Sequence, residues 1–244
     1  MNVMAHMIPF FPDLERSRRV AAALHDGGAA YIEVQFPYSD PTADGPAIQG
    51  ATARALTQGF TVDRGWEFVA TLSAPVFLMS YAGLVYARGV DRFVAAAAEH
   101  GVEGLIVPDL PIDSDEGLFA AGERYGVNIL PVIALGASPD RIALVHRTRS
   151  RYIYASLRRG ITGTHTTIGE ENISFISELG SQGARVLAGF GISTAEQVQA
   201  VTAHAHAAVI GSAYVRAVLE AEQRDQDPYQ SVLELTRQLT QVPG

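Results

Sequence analysis

Short apolar runs alternate with longer amphipathic stretches along the whole chain. The short runs have the length and composition of buried strands, whereas the longer stretches repeat apolar residues at the three-to-four spacing of a helix. Strands are predicted at residues 4–8, 31–36, 76–79, 104–107, 129–133, 152–156, 185–188 and 207–210. Helices are predicted at residues 14–25, 48–57, 64–72, 90–100, 116–125, 139–147, 170–179 and 195–202, with two more at 213–223 and 228–239 closing the chain.

Eight strands that each lead into a helix are typical of a closed parallel barrel, because every parallel connection needs a crossover. The expected fold class is therefore α/β: a (β/α)8 TIM barrel with extra helices, formed as a single domain by residues 1–244. The length of 244 residues and the hydrophobic content of 48% fit one such barrel. A doubly wound open sheet is the alternative, but it commonly has a Gly-rich loop after its first strand, where this chain has Pro9-Phe10-Phe11-Pro12.

Charge and hydropathy narrow the possible partners. A net charge of −8 argues against a nucleic-acid surface or an anionic membrane as partner. The longest apolar runs are too short to span a bilayer, and the first six residues lack the charged head and long apolar stretch of a secretion signal. We therefore expect a cytoplasmic protein without nucleic-acid or membrane partners.

Two residue types are absent from the chain. Without cysteine there is no disulfide, thiolate nucleophile or Cys-ligated metal. All 18 basic residues are Arg, and without Lys no Schiff base forms with a substrate carbonyl or with pyridoxal phosphate. The remaining chemistry is acid/base catalysis by carboxyl groups, His or Tyr.

Two acids occur at the carboxyl end of the second predicted strand. Glu33 lies inside the apolar run, and Asp44 lies in the Pro- and Ser-rich loop that follows it. A strand buried on both faces has no reason to hold a Glu unless that Glu is used or paired. Glu33 and Asp44 are therefore predicted to share proton donation and removal in one pocket, although an ion pair for Glu33 and a turn or helix cap for Asp44 remain alternatives.

Gly-rich loops follow the sixth, seventh and eighth predicted strands, at residues 157–163, 189–193 and 211–213. Glycine lets the backbone approach an anion closely, and free N–H groups at a helix start complement phosphate without Lys. In barrels these loops commonly hold a phosphate group. The predicted phosphate-binding residues are Gly163, Gly191, Gly211 and Ser212.

The segment from Glu33 to Gly45 closely resembles the Glu…Pro-[Phe/Tyr]-Ser-Asp-Pro-x-Ala-Asp-Gly signature of the tryptophan synthase α chain family, and further similarities span most of the sequence. The resemblance implies that Glu33 and Asp44 are catalytic. It also implies that Tyr81 faces the substrate, and that Thr162 belongs to a mobile loop and contacts the catalytic Asp. Tyr154 and Phe190 are likewise predicted to bind the substrate, whereas a place in the barrel core remains the alternative for Tyr81 and Tyr154. Gln35 departs from the family pattern, in which Gly is common, and is expected to make the pocket narrower or more polar.

The resemblance implies a lyase that cleaves indole-3-glycerol phosphate to indole and glyceraldehyde 3-phosphate in tryptophan biosynthesis. The implied reaction requires no metal, nucleotide or organic cofactor. The resemblance also implies a tryptophan synthase β subunit as partner in an α2β2 heterotetramer. Two alternatives stay open. One is a catalytically idle α-like subunit that binds and activates a β subunit, and the other is a barrel lyase or isomerase acting on another sugar phosphate.

Overall fold

A computed structural model describes residues 1–157 and 168–241, and the strands in them are all parallel. They form one sheet in the order β5-β4-β3-β2-β1-β9-β8-β7-β6. The strands are β1 (Val3–Met7), β2 (Tyr31–Gln35), β3 (Val76–Met79), β4 (Val102–Ile106), β5 (Asn128–Leu130), β6 (Val132–Ala134), β7 (Tyr152–Ser156), β8 (Arg185–Gly189) and β9 (Ala207–Ile210).

The sheet closes where β5 passes into β6. Pro131 separates these two short strands and has no N–H to continue the ladder, so β5 pairs with β4 while β6 pairs with β7. Across the break, the N–H of Tyr154 donates to the carbonyl of Pro131 over 3.0 Å. The two pieces together occupy one strand position, which confirms the predicted eight-stranded barrel; the prediction of an unbroken strand over residues 129–133 is wrong.

Helices cover the outside of the barrel. They are α1 (Leu14–Asp26), α2 (Pro46–Thr57), α3 (Val62–Val69), α4 (Ala82–Arg88), α5 (Val90–Glu99), α6 (Leu118–Tyr125), α7 (Pro139–Arg147), α8 (Glu170–Gly180), α9 (Ala195–Thr202), α10 (Ser212–Gln223) and α11 (Pro228–Thr240). The sequence did not predict α4, a two-turn helix that follows β3 after only two residues. The predicted start at residue 64 is also wrong, because the Thr61 side chain caps α3 two residues earlier by accepting from the N–H of Arg64.

The barrel interior is apolar for most of its length. Met4, Phe77, Ile106, Tyr152 and Leu187 form the centre of a buried cluster inside the ring of strands. Side chains alternate between the two faces of a strand, so His6, two residues after Met4 on β1, also faces the interior. On β2, Glu33 and Gln35 face the interior because they lie two and four residues after Tyr31, which packs against this cluster. The fold therefore brings polar side chains of β1 and β2 to the carboxyl-terminal mouth of the barrel.

No helix in the described residues is long and apolar enough to cross a membrane.

Candidate active site

A pocket opens at the carboxyl-terminal mouth of the barrel. It brings together seven of the residues predicted from sequence, which are contributed by four different strand ends and the loops that follow them. They are Glu33, Asp44, Tyr154, Phe190, Gly191, Gly211 and Ser212. The predicted Thr162 and Gly163 lie outside the described residues.

Glu33 is a buried carboxyl group that forms no ion pair with any described residue. It lies on β2, opposite His6 of β1 in the strand register, and only 2% of it is exposed. Burial raises the pKa of Glu33 to about 8; a hydrogen bond with Tyr154 opposes the rise, and the nearby Asp44 adds to it. Its Oε1 has no hydrogen-bond partner among the described residues. No described Arg forms the structural ion pair that was the alternative for Glu33, and with a pKa of about 8 the carboxyl is mostly protonated at neutral pH.

Asp44 lies in the loop between β2 and α2, and its carboxylate is held from two sides. The side-chain amide of Gln35 donates to Oδ2 over 2.6 Å, and the Tyr81 hydroxyl donates to the same oxygen over 3.0 Å. Burial raises the pKa of Asp44 to about 6, against the lowering effect of these two hydrogen bonds. Asp44 does not cap α2, since the residue before that helix is Gly45. At neutral pH it is mostly ionised, opposite a protonated Glu33.

Tyr81 lies behind Asp44 and is fully buried. Its hydroxyl accepts from the N–H of Ala43 while donating to Asp44, and its ring stacks on Tyr38 with centroids 5.4 Å apart. Burial and the adjacent Asp44 raise the pKa of Tyr81 above its usual range. In the described residues Tyr81 therefore orients the loop acid, whereas Tyr154 and Phe190 line the pocket itself with rings at 82° to each other.

The loops after β8 and β9 form part of the pocket wall. Phe190 and Gly191 both have positive φ angles, 79° and 80°, so the chain turns sharply at the end of β8. Gly211 precedes α10, and Ser212 is its first residue. The first turn of α10 contains no acidic side chain. The positive end of the helix dipole at Gly211 and Ser212 is therefore a position suited to an anion.

Sequence reasoning missed His6, which lines the pocket from β1. Its Nε2 lies 2.8 Å from the Oε1 of Gln35, and it is 2% exposed. The sequence did contain a signal for this residue, because His6 is the one polar residue in the apolar strand β1. Gln35 is fully buried between His6 and Asp44, so the departure from the family pattern makes the pocket more polar.

No group of three or more His, Cys, Asp or Glu side chains in residues 1–157 and 168–241 is arranged to hold a metal ion. The chemistry that the described side chains offer is proton transfer: a protonated carboxyl and an ionised one share one pocket and have pKa values about two units apart. A parallel barrel with such a pair beside an anion position belongs to the class of acid/base enzymes that act on phosphorylated substrates.

The chain belongs to the tryptophan synthase alpha chain family, whose model matches residues 2–242. It is 35% identical over 236 residues to the tryptophan synthase alpha chain of Helicobacter hepaticus, covering 92% of this chain and 88% of that protein. Identity to the alpha chain of Methanosarcina mazei is 37% over 212 residues, covering 86% of this chain and 78% of that protein. A solved structure of Mycobacterium tuberculosis tryptophan synthase superposes with a TM-score of 0.88 at 29% identity, covering 98% of this chain and 90% of that one.

As the family resemblance implied, the chain is a lyase subunit of tryptophan biosynthesis. The tryptophan synthase alpha chain cleaves indole-3-glycerol phosphate and works with a β subunit.

Proposed function

We propose that Glu33 and Asp44 carry the cleavage of indole-3-glycerol phosphate in this chain, with Glu33 as the acid and Asp44 as the base. The single observation that carries the assignment is that both carboxyl groups line one pocket, Glu33 with an Oε1 that has no hydrogen-bond partner among the described residues and Asp44 held by Gln35 and Tyr81. Burial raises the pKa of Glu33 to about 8 and that of Asp44 to about 6, which agrees with this division of roles. Near pH 7 one carboxyl holds a proton to give and the other is free to accept one.

The proposed sequence moves two protons and returns both. Glu33 protonates C3 of the indole ring, which makes the ring a leaving group, while Asp44 accepts the proton of the indole N–H. The Glu33 carboxylate then removes the proton from the glyceryl hydroxyl as the carbon–carbon bond breaks, so that the hydroxyl carbon becomes the aldehyde of glyceraldehyde 3-phosphate. Asp44 returns its proton to the indole nitrogen. The unpartnered Oε1 of Glu33 suits this role because it is free to meet the substrate.

Phosphate is proposed to bind at Gly191, Gly211 and Ser212, with Gly163 completing the site from residues 158–167. The support is the start of α10, where helix N–H groups meet the Gly-rich turn after β8. The aromatic rings of Tyr154 and Phe190 lie on the same side of the pocket and suit an aromatic substrate. No cofactor is required by this sequence of steps.

A β subunit is the proposed partner, in an α2β2 assembly, and a cytoplasmic location remains a prediction. Tyr81 connects the base to the loop between β2 and α2, because its ring stacks on Tyr38 of that loop and its hydroxyl donates to Asp44. Docking of a partner against this loop would therefore bear directly on the position of the base.

The test is indole release from indole-3-glycerol phosphate by the purified chain, with and without β subunit. Glu33→Gln and Asp44→Asn should each lower the rate by about 10²-fold or more while the fold stays intact. Glu103→Gln is the matched control, because Glu103 lies on β4 and contacts Tyr152 and Arg151 at the opposite end of the barrel. A folded Glu33 or Asp44 variant with near-normal turnover would remove the assignment, and a wild type inactive in both conditions would favour the idle-subunit alternative.

A further inference from the structure

Three buried side chains form a continuous hydrogen-bonded row across the floor of the pocket. His6 of β1 contacts Gln35 at the end of β2, and Gln35 contacts Asp44 in the loop that follows. All three are at most 2% exposed. The row ends at Asp44, the proposed base, so the orientation of the hydrogen bonds in the row affects whether Asp44 stays ionised.

The direction of each hydrogen bond follows from the charge at one end. An ionised carboxylate only accepts, so the Gln35 amide must present its N–H to Asp44 and its oxygen to His6. Oxygen at that position requires a donor, and Nε2 of His6 therefore carries the ring proton. Burial lowers the pKa of His6 to about 4, so the ring is neutral around pH 7 and holds this single tautomer. Its Nδ1, the lone-pair nitrogen, has no partner within the described ranges.

The backbone and the carboxylate of Asp44 are fixed by separate contacts. Its N–H donates to the carbonyl of Pro41 over 3.1 Å, and its carbonyl accepts from the Gln49 side chain over 2.9 Å. The carboxylate is oriented instead by Gln35 and Tyr81, which both donate to Oδ2. No described residue donates to Oδ1.

Besides burial, the groups that act on the Asp44 charge are two neutral hydrogen-bond donors, Gln35 and Tyr81. Among the described residues, no Arg or ionised His contributes to its titration. Of the two hydrogen bonds that favour the ionised form, the one from Gln35 has the larger effect. The titratable groups around the carboxylate are Glu33 and Tyr154 across the pocket, Tyr81 in direct contact, Asp109 beyond Tyr81 and His6 beyond Gln35.

We propose that Gln35 is a positioning residue: it holds Asp44 ionised with Oδ1 presented to the indole N–H, and His6 fixes the amide orientation that this requires. The inference rests on the proposed role of Asp44 as the base. It assigns a function to two side chains that never need to touch the reacting atoms. It also explains why a polar residue is buried at the end of β2, where an apolar one would cost less.

Gln35→Met tests the proposal, because Met has nearly the same length but cannot donate to Asp44. We expect kcat at pH 7 to fall about tenfold, and the acid limb of the kcat/KM profile to move up by about one pH unit, as for the loss of one charge-assisted hydrogen bond. The matched control is Gln49→Met. The Gln49 amide donates to the main-chain carbonyl of Asp44 and not to its carboxylate. That variant should leave the acid limb in place.

A second variant approaches the row from its other end. His6→Phe keeps a ring of similar size but removes the donor that orients the amide, so it should move the acid limb in the same direction by a smaller amount. It also supplies the measurement if Gln35→Met fails to fold. An unmoved acid limb in whichever of these variants folds would overturn the proposal.

A double variant separates this inference from the assignment of Asp44. If Gln35 acts through Asp44, Gln35→Met should change kcat less than twofold once Asp44→Asn is present, because the two effects are not additive. Two independent, multiplying effects would overturn the positioning role. Near-normal turnover in Asp44→Asn would instead refute Asp44 as the base, whereas an impaired Asp44→Asn beside an unaffected Gln35→Met refutes the positioning role alone.

Discussion

Replacing Glu33 by Gln should stabilise the fold at neutral pH while it removes activity. Glu33 has a folded-state pKa of about 8 because it is buried, whereas the same group in the unfolded chain titrates near 4.5. Between these two pH values the unfolded state releases a proton that the folded state keeps. The free energy of unfolding of wild type therefore falls as the pH rises through this window.

The size of the effect follows from the same two values. At pH 7 the unfolded group is about 2.5 pH units above its pKa, and each unit corresponds to about 1.4 kcal/mol. The penalty carried by Glu33 at pH 7 is therefore about 3 kcal/mol. A Gln has no proton to lose, and its amide keeps the shape of the protonated acid and can still accept from Tyr154. For a chain of this length, about 3 kcal/mol corresponds to roughly 6–12 °C in Tm.

The assay is thermal unfolding of wild type and Glu33→Gln at a series of pH values from 4 to 8. The two Tm values should be similar at pH 4 and should separate progressively as the pH rises, with the variant more stable. Glu67→Gln is the control, since Glu67 is exposed on α3 and makes no ion pair within the described residues. A Tm difference that is the same at every pH, or a variant that is less stable at pH 7, would refute a buried, protonated Glu33.

Three further predictions concern the base, the phosphate position and the loop outside the described residues. Asp44→Asn should lower indole formation by about 10²-fold or more and, because burial raises the pKa of Asp44 to about 6, should raise the Tm at pH 7 rather than lower it, as measured by steady-state kinetics and thermal unfolding. Gly211→Val should weaken glycerol phosphate binding in a calorimetric titration. Gly211→Ala should not, because a Cβ there meets only ordinary contacts with Ile48 and His6; equal affinity in both variants would contradict the phosphate site. Thr162→Val should remove most of the stimulation of indole formation by β subunit while β binding remains detectable. Undiminished stimulation in this variant would show that Thr162 does not mediate it.

The sequence predicted the barrel well because its signals are local and repeated. Strand and helix periods alternate along the chain, and the predicted bounds of β3, β7, β9, α7 and α9 agree with the structure. Two of the errors occur where a single residue overrides the period, as Pro131 does in the fifth strand and Thr61 does at the start of α3, whereas the short α4 was not predicted at all.

The site was predicted less completely because its contacts are not local in sequence. The motif identified Glu33 and Asp44, but the contact between Tyr81 and Asp44 depends on how β2 and β3 lie side by side. His6 was missed for the same reason. One His in an apolar strand is ordinary in sequence, and only the pairing of β1 with β2 brings it to Gln35.

The division of labour between two carboxyl groups is tested most directly by the pH dependence of kcat/KM for indole formation. With wild type and β subunit, we predict a bell that rises near pH 6, where Asp44 ionises, and falls near pH 8, where Glu33 loses its proton. The substrate phosphate also titrates near pH 6, so the residual activity of Asp44→Asn is the necessary comparison. Loss of the acid limb in that variant would support Asp44 as the base. A wild-type profile without a fall near pH 8, or an acid limb that persists unchanged in Asp44→Asn, would contradict the account.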